Sequence, residues 1–241
     1  KKGILRAAVK WGIGVDNVDF AACEALGIPI TNTPDMFGAE VADIAMGYII
    51  ALARETFQID QGVRAGQWPK PRGISLAGKT AALVGFGDIG QQTAKRMLAA
   101  DMKVIAYDPF AADAPTLPTV ERSRWPERIE EADFIVVTCS LTDSSRHMVN
   151  SNTLSKAKAG VRLVNVGRGP VIDEPALEAA LRSNHVYAAA LDVFEIEPLP
   201  TESYLRQHPR CIFGSHNASN TADAVVRTSK IAIDKLARFL N

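Results

Sequence analysis

The sequence is poor in cysteine, has no net charge and lacks long apolar runs, and each of these absences excludes a class of protein. The only cysteines among its 241 residues, Cys23, Cys139 and Cys211, are far apart and form no Cys-x-x-Cys pair. A disulfide framework or a zinc site is therefore not expected. The 27 Lys and Arg residues balance 27 Asp and Glu residues, which removes the positive field that drives non-specific nucleic-acid binding. The longest apolar run, 44–53, is shorter than the roughly 20 residues that a membrane span needs.

These absences predict a cytoplasmic protein that binds no nucleic acid, no membrane and no metal. No apolar signal-peptide core follows the two lysines at the start of the sequence. Hydrophobic residues make up 47% of the chain and charged residues 22%, a composition that indicates a packed core and argues against disorder. At roughly 100–200 residues per domain, the length suits one large domain or two modest ones.

From residue 79 onward, short apolar runs alternate with helical segments. Strands of this kind, separated by helices, are typical of an α/β fold with a doubly wound parallel sheet whose two faces are both covered. The six predicted strands are 81–84, 104–106, 134–137, 163–166, 186–191 and 211–213, and predicted helices between them cover 89–100, 126–131 and 174–182.

Further elements lie on either side of this unit. A strand at 5–9, a helix at 19–26 and a strand at 28–30 come first, followed by one long helix at 40–65. The helix at 222–240 is amphipathic, with Val225, Ile231, Leu236 and Leu240 available for one face. The opening piece is too small to be a domain and resembles the end of a longer one.

A glycine motif follows the first predicted strand of the sheet. Gly85, Gly87 and Gly90 form a G-x-G-x-x-G turn that leads into a helix, which suits a pyrophosphate bound at a helix N-terminus. Asp108 ends the next strand, 18 residues after the third glycine, where an acid meets the ribose hydroxyls and repels a 2′-phosphate. The motif therefore favours NAD over NADP. The alternative is that Asp108 merely opens a turn at Pro109.

Three polar residues follow the last three strands, at the edge where open α/β sheets bind ligands. Arg168 offers a planar fork for a carboxylate, and His216 is of the residue type that exchanges protons near neutral pH. A carboxylate beside the histidine would orient its ring, and the sequence leaves Glu195 and Glu197 as equal candidates. Each residue alone could be structural, but together they suit hydride transfer at a 2-hydroxy or 2-oxo acid.

The remaining histidines and Cys139 receive structural interpretations. His147, His185 and His208 stand in polar loop contexts and are predicted to face solvent. Cys139 closes the third strand and is predicted to be a packed residue near the cofactor, because no base lies beside it in sequence.

Several stretches of the chain together resemble the D-isomer-specific 2-hydroxyacid dehydrogenase family, especially its phosphoglycerate dehydrogenase-like branch. The resemblance implies a Rossmann NAD-binding domain plus a remnant of a flavodoxin-like substrate domain. The matching stretches are 10–19, 31–34, the glycine motif through Asp108, 165–174, 191–198 and 215–216.

The resemblance also implies roles for individual residues. Arg168, Glu197 and His216 would be catalytic, with Glu197 preferred because it precedes Pro198. The backbone of Ile13 and Gly14 would hold the substrate carboxylate together with Arg168, and Lys10 stands where many relatives carry arginine. Asp192 would hold the nicotinamide carboxamide. The full predicted cofactor-binding set is Gly85, Gly87, Asp88, Ile89, Gly90, Asp108, Cys139, Ser140, Thr142, Val166, Gly167, Asp192 and His216.

The implied domain division places the end of a substrate-binding domain in 1–35, with its N-terminal portion missing. The NAD-binding domain with a dimerisation helix covers 36–218, and 219–241 is a helix that returns toward the substrate domain. A homodimer is expected through the helix at 40–65. Two departures from the family pattern touch the predicted cleft. Relatives often carry proline at the position of Ser140, and they commonly place an aliphatic residue and glycine within the stretch 217–221.

The predicted function is the NAD-dependent interconversion of a D-2-hydroxy acid and its 2-oxo acid, with 3-phosphoglycerate as one candidate substrate. No cluster of basic residues dedicated to a phosphate is visible, since Lys70 and Arg72 belong to an ordinary loop. One alternative is an NAD(H)-sensing, corepressor-like binding protein without turnover. Another is an enzyme that acts on an unusual donor such as phosphite or formate.

Overall fold

The structure is a computed structural model that describes residues 3–15, 18–112 and 114–240. Two positions of the resembling stretch at 10–19, Asp16 and Asn17, lie outside the described residues. The chain forms two compact units, Lys1–Glu40 with Ser219–Asn241, and Val41–Ala218. The division into a substrate-binding and an NAD-binding part stays a prediction.

Nine strands and eight α-helices are found in the described part of the chain. The strands are β1 (Ala8–Lys10), β2 (Ile30–Asn32), β3 (Thr80–Val84), β4 (Lys103–Tyr107), β5 (Glu121–Arg122), β6 (Phe134–Val137), β7 (Val161–Asn165), β8 (Val186–Leu191) and β9 (Cys211–Phe213). The helices are α1 (Phe20–Ala25), α2 (Gly38–Arg54), α3 (Thr56–Arg64), α4 (Asp88–Ala99), α5 (Ser151–Lys156), α6 (Glu174–Arg182), α7 (Tyr204–Gln207) and α8 (Ala222–Leu240).

The larger unit is built on one seven-stranded sheet in the order β5-β4-β3-β6-β7-β8-β9. All neighbouring strands are parallel, and the order reverses between β3 and β6, which is the switch point of a doubly wound fold. Every residue of β6 and β7 is buried, as expected for a parallel sheet covered on both faces. The predicted α/β class with a Rossmann-like sheet is confirmed, whereas the flavodoxin-like remnant stays a prediction.

All six predicted strands of this sheet are present, and the structure adds β5 at its edge. Strand β5 could not be predicted, because it consists of only two residues, Glu121 and Arg122, and both are exposed. The short helices α5 and α7 were also not predicted. The helix predicted at 126–131 was wrong, because only Ile129–Glu131 is helical, as a single 3-10 turn. Arg128, directly before this turn, adopts the left-handed conformation with φ 65°.

The predicted single helix at 40–65 is two helices. Helix α2 ends at Arg54, and α3 starts at Thr56, because Glu55 between them adopts a left-handed conformation with φ 54°. Its side chain accepts a hydrogen bond of 2.6 Å from the Tyr187 hydroxyl, which fixes the break against the sheet. An apolar pattern at helical spacing continues through such a break, so the pattern alone could not reveal it.

The smaller unit consists of parallel β1 and β2, α1 and the C-terminal α8. The bounds predicted for α8 are correct, but the predicted apolar face is wrong in part. Ala224 and Thr228 are buried, whereas Val225 and Leu240 are exposed. Among the described residues, no helix combines the length and apolar character that crossing a membrane requires.

Candidate functional site

Strands β7, β8 and β9 end together at the carboxyl edge of the sheet. Asn165, Leu191 and Phe213 are paired across the three strands and are the last residues of each. Arg168, Glu197 and His216 follow these three residues, so the topology brings all three loops to one edge. This is the edge where parallel sheets of this kind bind ligands.

His216 and Glu197 form a hydrogen-bonded pair at this edge. The distance from His216 Nδ1 to Glu197 Oε2 is 2.8 Å. Because a carboxylate can only accept, Nδ1 is the donor, and Nε2 is the ring nitrogen that can exchange a proton with a ligand. The second carboxylate oxygen, Oε1, accepts the Phe194 N–H at 3.0 Å, which fixes the carboxylate on the other side. The His216 side chain is 47% exposed, so a ligand can reach it.

Glu195, the other candidate, has a different histidine as its partner. Its Oε1 lies 2.5 Å from His147 Nε2, and its N–H donates to Glu174 Oε1 at 2.6 Å. Burial and then the neighbouring carboxylates raise the pKa of Glu174. The structure thus distinguishes the two glutamates, which the sequence could not do. His147 is exposed, as predicted, but its pairing with Glu195 was missed.

The backbone of His216 is held in a left-handed conformation by Asp192. His216 has φ 56°, and its N–H donates to the Asp192 carbonyl at 2.7 Å. The next two amides, of Asn217 and Ala218, donate to Asp192 Oδ1 at 3.2 Å and Oδ2 at 3.0 Å. Asp192 is only 3% exposed. The sequence predicted a role of Asp192 toward the cofactor, but not its hydrogen bonds to the backbone amides of residues 216–218.

Asn165 holds the loop that carries Arg168. Its Oδ1 accepts the Gly167 N–H at 3.0 Å, and its Nδ2 donates to the Arg168 carbonyl at 3.0 Å. The Asn165 side chain is 1% exposed, and the Val166 N–H donates to the Val137 carbonyl at 3.1 Å. The half-buried Arg168 therefore extends from a firmly held backbone. Asn165 was not predicted as a site residue, although an asparagine that ends a buried strand is a signal for such a turn.

The glycine turn between β3 and α4 has the shape that a pyrophosphate requires. A methyl group at Gly85, where φ is 96°, would lie 2.6 Å from Cys139 N, and one at Gly90 would lie 2.3 Å from Gly85 O. In contrast, nothing lies within 4 Å of a methyl group placed on Gly87 at the start of α4. Two glycines thus allow close packing and one leaves room for a ligand, so the residues present fit NAD.

Asp108 joins the glycine turn to the end of β4. Its Oδ2 accepts the Phe86 N–H at 2.8 Å, and its Oδ1 accepts the amides of Phe110 at 2.9 Å and Ala111 at 3.0 Å. The carboxylate therefore forms the turn at Pro109 and also lies directly beside the predicted pyrophosphate loop. Of about four acceptor positions on a carboxylate, one on Oδ2 remains, and the role of Asp108 toward the ribose hydroxyls stays a prediction.

Other predicted cofactor residues lie around this turn. Asp88 and Ile89 form the first turn of α4. Burial raises the pKa of the Cys139 thiol to about 12, so the side chain stays a thiol, in line with a packing role. Beyond it, the Ser140 carbonyl accepts the Ser145 hydroxyl at 2.8 Å, and the Thr142 N–H donates to the same hydroxyl at 2.8 Å.

Lys10, Ile13 and Gly14 belong to the smaller unit. Lys10 Nζ donates to the Trp11 carbonyl at 3.0 Å. The Gly12 and Thr33 backbones are joined by a 3.3 Å hydrogen bond from Thr33 N–H, and Asn32 Nδ2 donates to the Ile13 carbonyl at 2.9 Å. These contacts order the loop after β1, and the predicted role of its amides toward a substrate carboxylate stays a prediction.

His208 and His185 were predicted to face solvent, and for both residues this prediction was wrong. His208 is 7% exposed, and burial, then the Arg210 charge, lower its pKa. His185 is half-buried and its Nε2 lies 3.0 Å from the Ala157 carbonyl. The three cysteines are free thiols, and the described residues contain no group of His, Cys, Asp and Glu side chains arranged to hold a metal ion.

The sheet order, the glycine turn and the acid at the end of β4 together define a dinucleotide-binding oxidoreductase of the α/β class. The family described as "D-isomer specific 2-hydroxyacid dehydrogenase, NAD binding domain" matches residues 46–218, and the chain belongs to this family. Its cofactor is NAD, and the predicted class of NAD-dependent dehydrogenase is confirmed.

Named relatives cover most of the chain. It is 40% identical over 98% of its length to a hydroxypyruvate reductase of Thermotoga maritima, and covers 78% of that protein. It is 38% identical over 92% of its length to D-3-phosphoglycerate dehydrogenase 2 of Arabidopsis thaliana, of which it spans 36%. A glyoxylate reductase structure from Paecilomyes thermophila superposes with TM-score 0.89 at 31% identity, covering 96% of this chain and 71% of that one.

Proposed function

We propose that the protein interconverts a D-2-hydroxy acid and its 2-oxo acid, with Arg168, Glu197 and His216 as its catalytic residues. The observation that carries this proposal is the 2.8 Å pair of His216 Nδ1 and Glu197 Oε2, at the sheet edge that also presents Arg168. NAD, when bound, supplies or accepts the hydride. The relatives reported above are named as reductases and a dehydrogenase, which favours turnover over a corepressor-like sensing role.

Each catalytic residue has its own role in this proposal. During reduction, His216 gives a proton from Nε2 to the carbonyl oxygen of the 2-oxo acid, and during oxidation it removes the hydroxyl proton. Glu197 orients the ring through Nδ1 and stabilises its protonated form. Arg168 binds the substrate carboxylate with its planar guanidinium and polarises the reacting carbonyl. For Lys10, Ile13 and Gly14 of the smaller unit, substrate binding is proposed from the family resemblance alone.

The substrate class we propose is a small 2-oxo acid, with hydroxypyruvate, glyoxylate and 3-phosphohydroxypyruvate as the acids to compare. With the purified protein, we expect saturable oxidation of NADH, followed at 340 nm by its absorbance, with at least one of them. Formate and phosphite, each with NAD, form separate arms that test the unusual donors. If the purified protein binds NADH but turns over none of these compounds, the sensing role replaces the dehydrogenase.

A Glu197→Gln substitution should lower kcat about 10- to 100-fold, because the amide keeps the shape of the carboxylate but cannot balance a protonated imidazole. The measurement is the steady-state rate of 2-oxo-acid reduction at saturating NADH. Glu195→Gln is the matched control, since Glu195 lies two positions earlier and pairs with His147 instead. Equal losses in the two variants would contradict the role assigned to Glu197.

A homodimer is proposed through α2 and α3, as the family resemblance suggests. Ile44, Ile50, Phe57 and Val63 on these two helices are exposed apolar side chains, and apolar surface of this kind is common where subunits meet. Sedimentation equilibrium should give twice the mass of the chain. A monomer at micromolar concentration would contradict the proposal.

The cytoplasm is the proposed compartment. All three cysteines are free thiols, in agreement with a reducing environment. A disulfide between any of them in protein isolated under non-reducing conditions, detected by mass spectrometry, would contradict this assignment.

A further inference from the structure

Tyr48 of α2 lies against Asp192 and Gly214 at the carboxyl edge of the sheet. A methyl group added to Gly214 would lie 2.0 Å from Asp192 Oδ1 and 2.6 Å from the Tyr48 hydroxyl. The two oxygens therefore approach each other across this glycine. Gly214 follows β9 directly, and its N–H donates to the Leu191 carbonyl at 2.8 Å. Tyr48 thus belongs to the surroundings of His216, although α2 lies more than 140 residues earlier in the sequence.

The Tyr48 hydroxyl is available as a hydrogen-bond donor. Within the described part of the chain, no hydrogen bond of this hydroxyl is found, and the side chain is half-buried. Burial, and then the charge of Asp192, raise the pKa of Tyr48 to about 12. The phenol therefore keeps its proton throughout the physiological range and can only act there in its neutral form, beside a buried carboxylate.

The neighbouring carboxylate keeps its capacity to accept from a ligand. Asp192 Oδ1 and Oδ2 each accept one backbone amide, from Asn217 and Ala218. An ionised carboxylate has about four acceptor positions, so further hydrogen bonds can be accepted. A donor and an acceptor thus stand side by side, which matches a primary amide, whose oxygen accepts and whose NH2 group donates.

We propose that Tyr48 is a cofactor-binding residue whose hydroxyl donates to the carboxamide oxygen of the nicotinamide, beside Asp192, to which the family resemblance already assigns the carboxamide. The proposal rests on the function proposed above, because it takes the nicotinamide to lie at this edge. It also explains Gly214, since any larger residue there would separate the phenol from the carboxylate. The pair would fix the rotation of the carboxamide and hence of the nicotinamide ring.

A comparison of NADH with ADP-ribose tests this proposal. ADP-ribose contains the adenosine, pyrophosphate and second ribose but no nicotinamide. By isothermal titration calorimetry, the Tyr48→Phe variant should bind NADH about three- to tenfold more weakly than the unmodified protein, the loss of one neutral hydrogen bond. Its affinity for ADP-ribose should stay unchanged, because the phenol has no partner in that ligand.

A carbonyl-retaining analogue and a matched tyrosine variant sharpen the test. 3-Acetylpyridine adenine dinucleotide keeps the carbonyl oxygen but has no NH2 group, so Tyr48→Phe should weaken its binding as much as that of NADH. Tyr204→Phe is the control, because Tyr204 in α7 packs against Arg182 and His208. We expect this control to bind all three ligands like the unmodified protein.

The possible outcomes separate this proposal from the function on which it rests. Unchanged NADH affinity in Tyr48→Phe would overturn the role of Tyr48 and leave the dehydrogenase intact. Equal weakening toward NADH and ADP-ribose would show that Tyr48 acts through the fold, and would overturn its role as well. If the unmodified protein bound ADP-ribose but not NADH, the placement of the nicotinamide, and with it the proposed function, would be wrong.

Discussion

Replacing His216 by asparagine should lower kcat for 2-oxo-acid reduction by about 10²- to 10⁴-fold, the contribution typical of a positioned general acid or base. Asparagine tolerates the left-handed conformation that His216 adopts, φ 56°, so the loop held by Asp192 should keep its shape. The side chain that replaces the imidazole cannot exchange a proton near neutral pH. NADH binding, measured by fluorescence titration, should weaken far less than kcat falls, because His216 is only one of many predicted cofactor contacts.

His147→Asn is the matched control for this variant. His147 is also left-handed, with φ 51°, is 45% exposed, and pairs with a glutamate, Glu195. The two substitutions therefore make the same chemical change in the same backbone conformation, and only one of them removes the proposed proton donor. Near-normal turnover in His216→Asn, or comparable losses in both variants, would exclude His216 as the group that exchanges the proton.

The sequence predicted the position of the site better than its contacts. Parallel strands that end in register bring their following loops together, so Arg168 and His216 could be assigned to one edge from strand order alone. The choice between Glu195 and Glu197 could not be made in this way. Both glutamates lie in one loop, and which of them reaches which histidine depends on the path of the backbone after Phe194, which carries no pattern in the sequence.

The residues that position the loops of the site were harder to predict from the sequence than the residues proposed to be catalytic. Asn165 and Asp192 act through hydrogen bonds to backbone amides of neighbouring loops, and a buried polar residue of this kind looks like any strand end in the sequence. The position of Tyr48 was harder still to predict, since its place beside Asp192 depends on how α2 packs on the sheet. Helical periodicity gives no account of that contact.

Elements shaped by single backbone conformations also escaped prediction. Glu55 breaks the helical segment at 40–65 through a left-handed φ, supported by the hydroxyl of Tyr187. His208 stands in a polar stretch of sequence yet is buried, with its Nδ1 3.6 Å from Cys211 Sγ. The contact of Glu55 with Tyr187 joins residues far apart in the sequence, and the burial of His208 depends on the packing of the whole unit. Local propensity reveals neither of them.

Arg168→Lys is expected to reduce kcat/KM for the 2-oxo acid by about 10²- to 10³-fold, the cost of losing a charged, two-pronged hydrogen-bonding partner at a desolvated site. Lysine keeps the positive charge but presents it as a point on a flexible stem, without the planar fork that matches a carboxylate. The loss should therefore appear both in KM for the acid and in kcat. The dissociation constant of NADH should stay within about twofold.

The backbone around Arg168 allows this result to be interpreted. Asn165 binds Gly167 N–H and the Arg168 carbonyl, contacts that a change of side chain at 168 does not remove, so the loop should persist in the variant. Arg146→Lys, at an exposed arginine, is the control and should retain its kinetic constants. Were Arg168→Lys to keep its KM and kcat, the guanidinium would have no role in binding the substrate, and the carboxylate would have to be held by other groups.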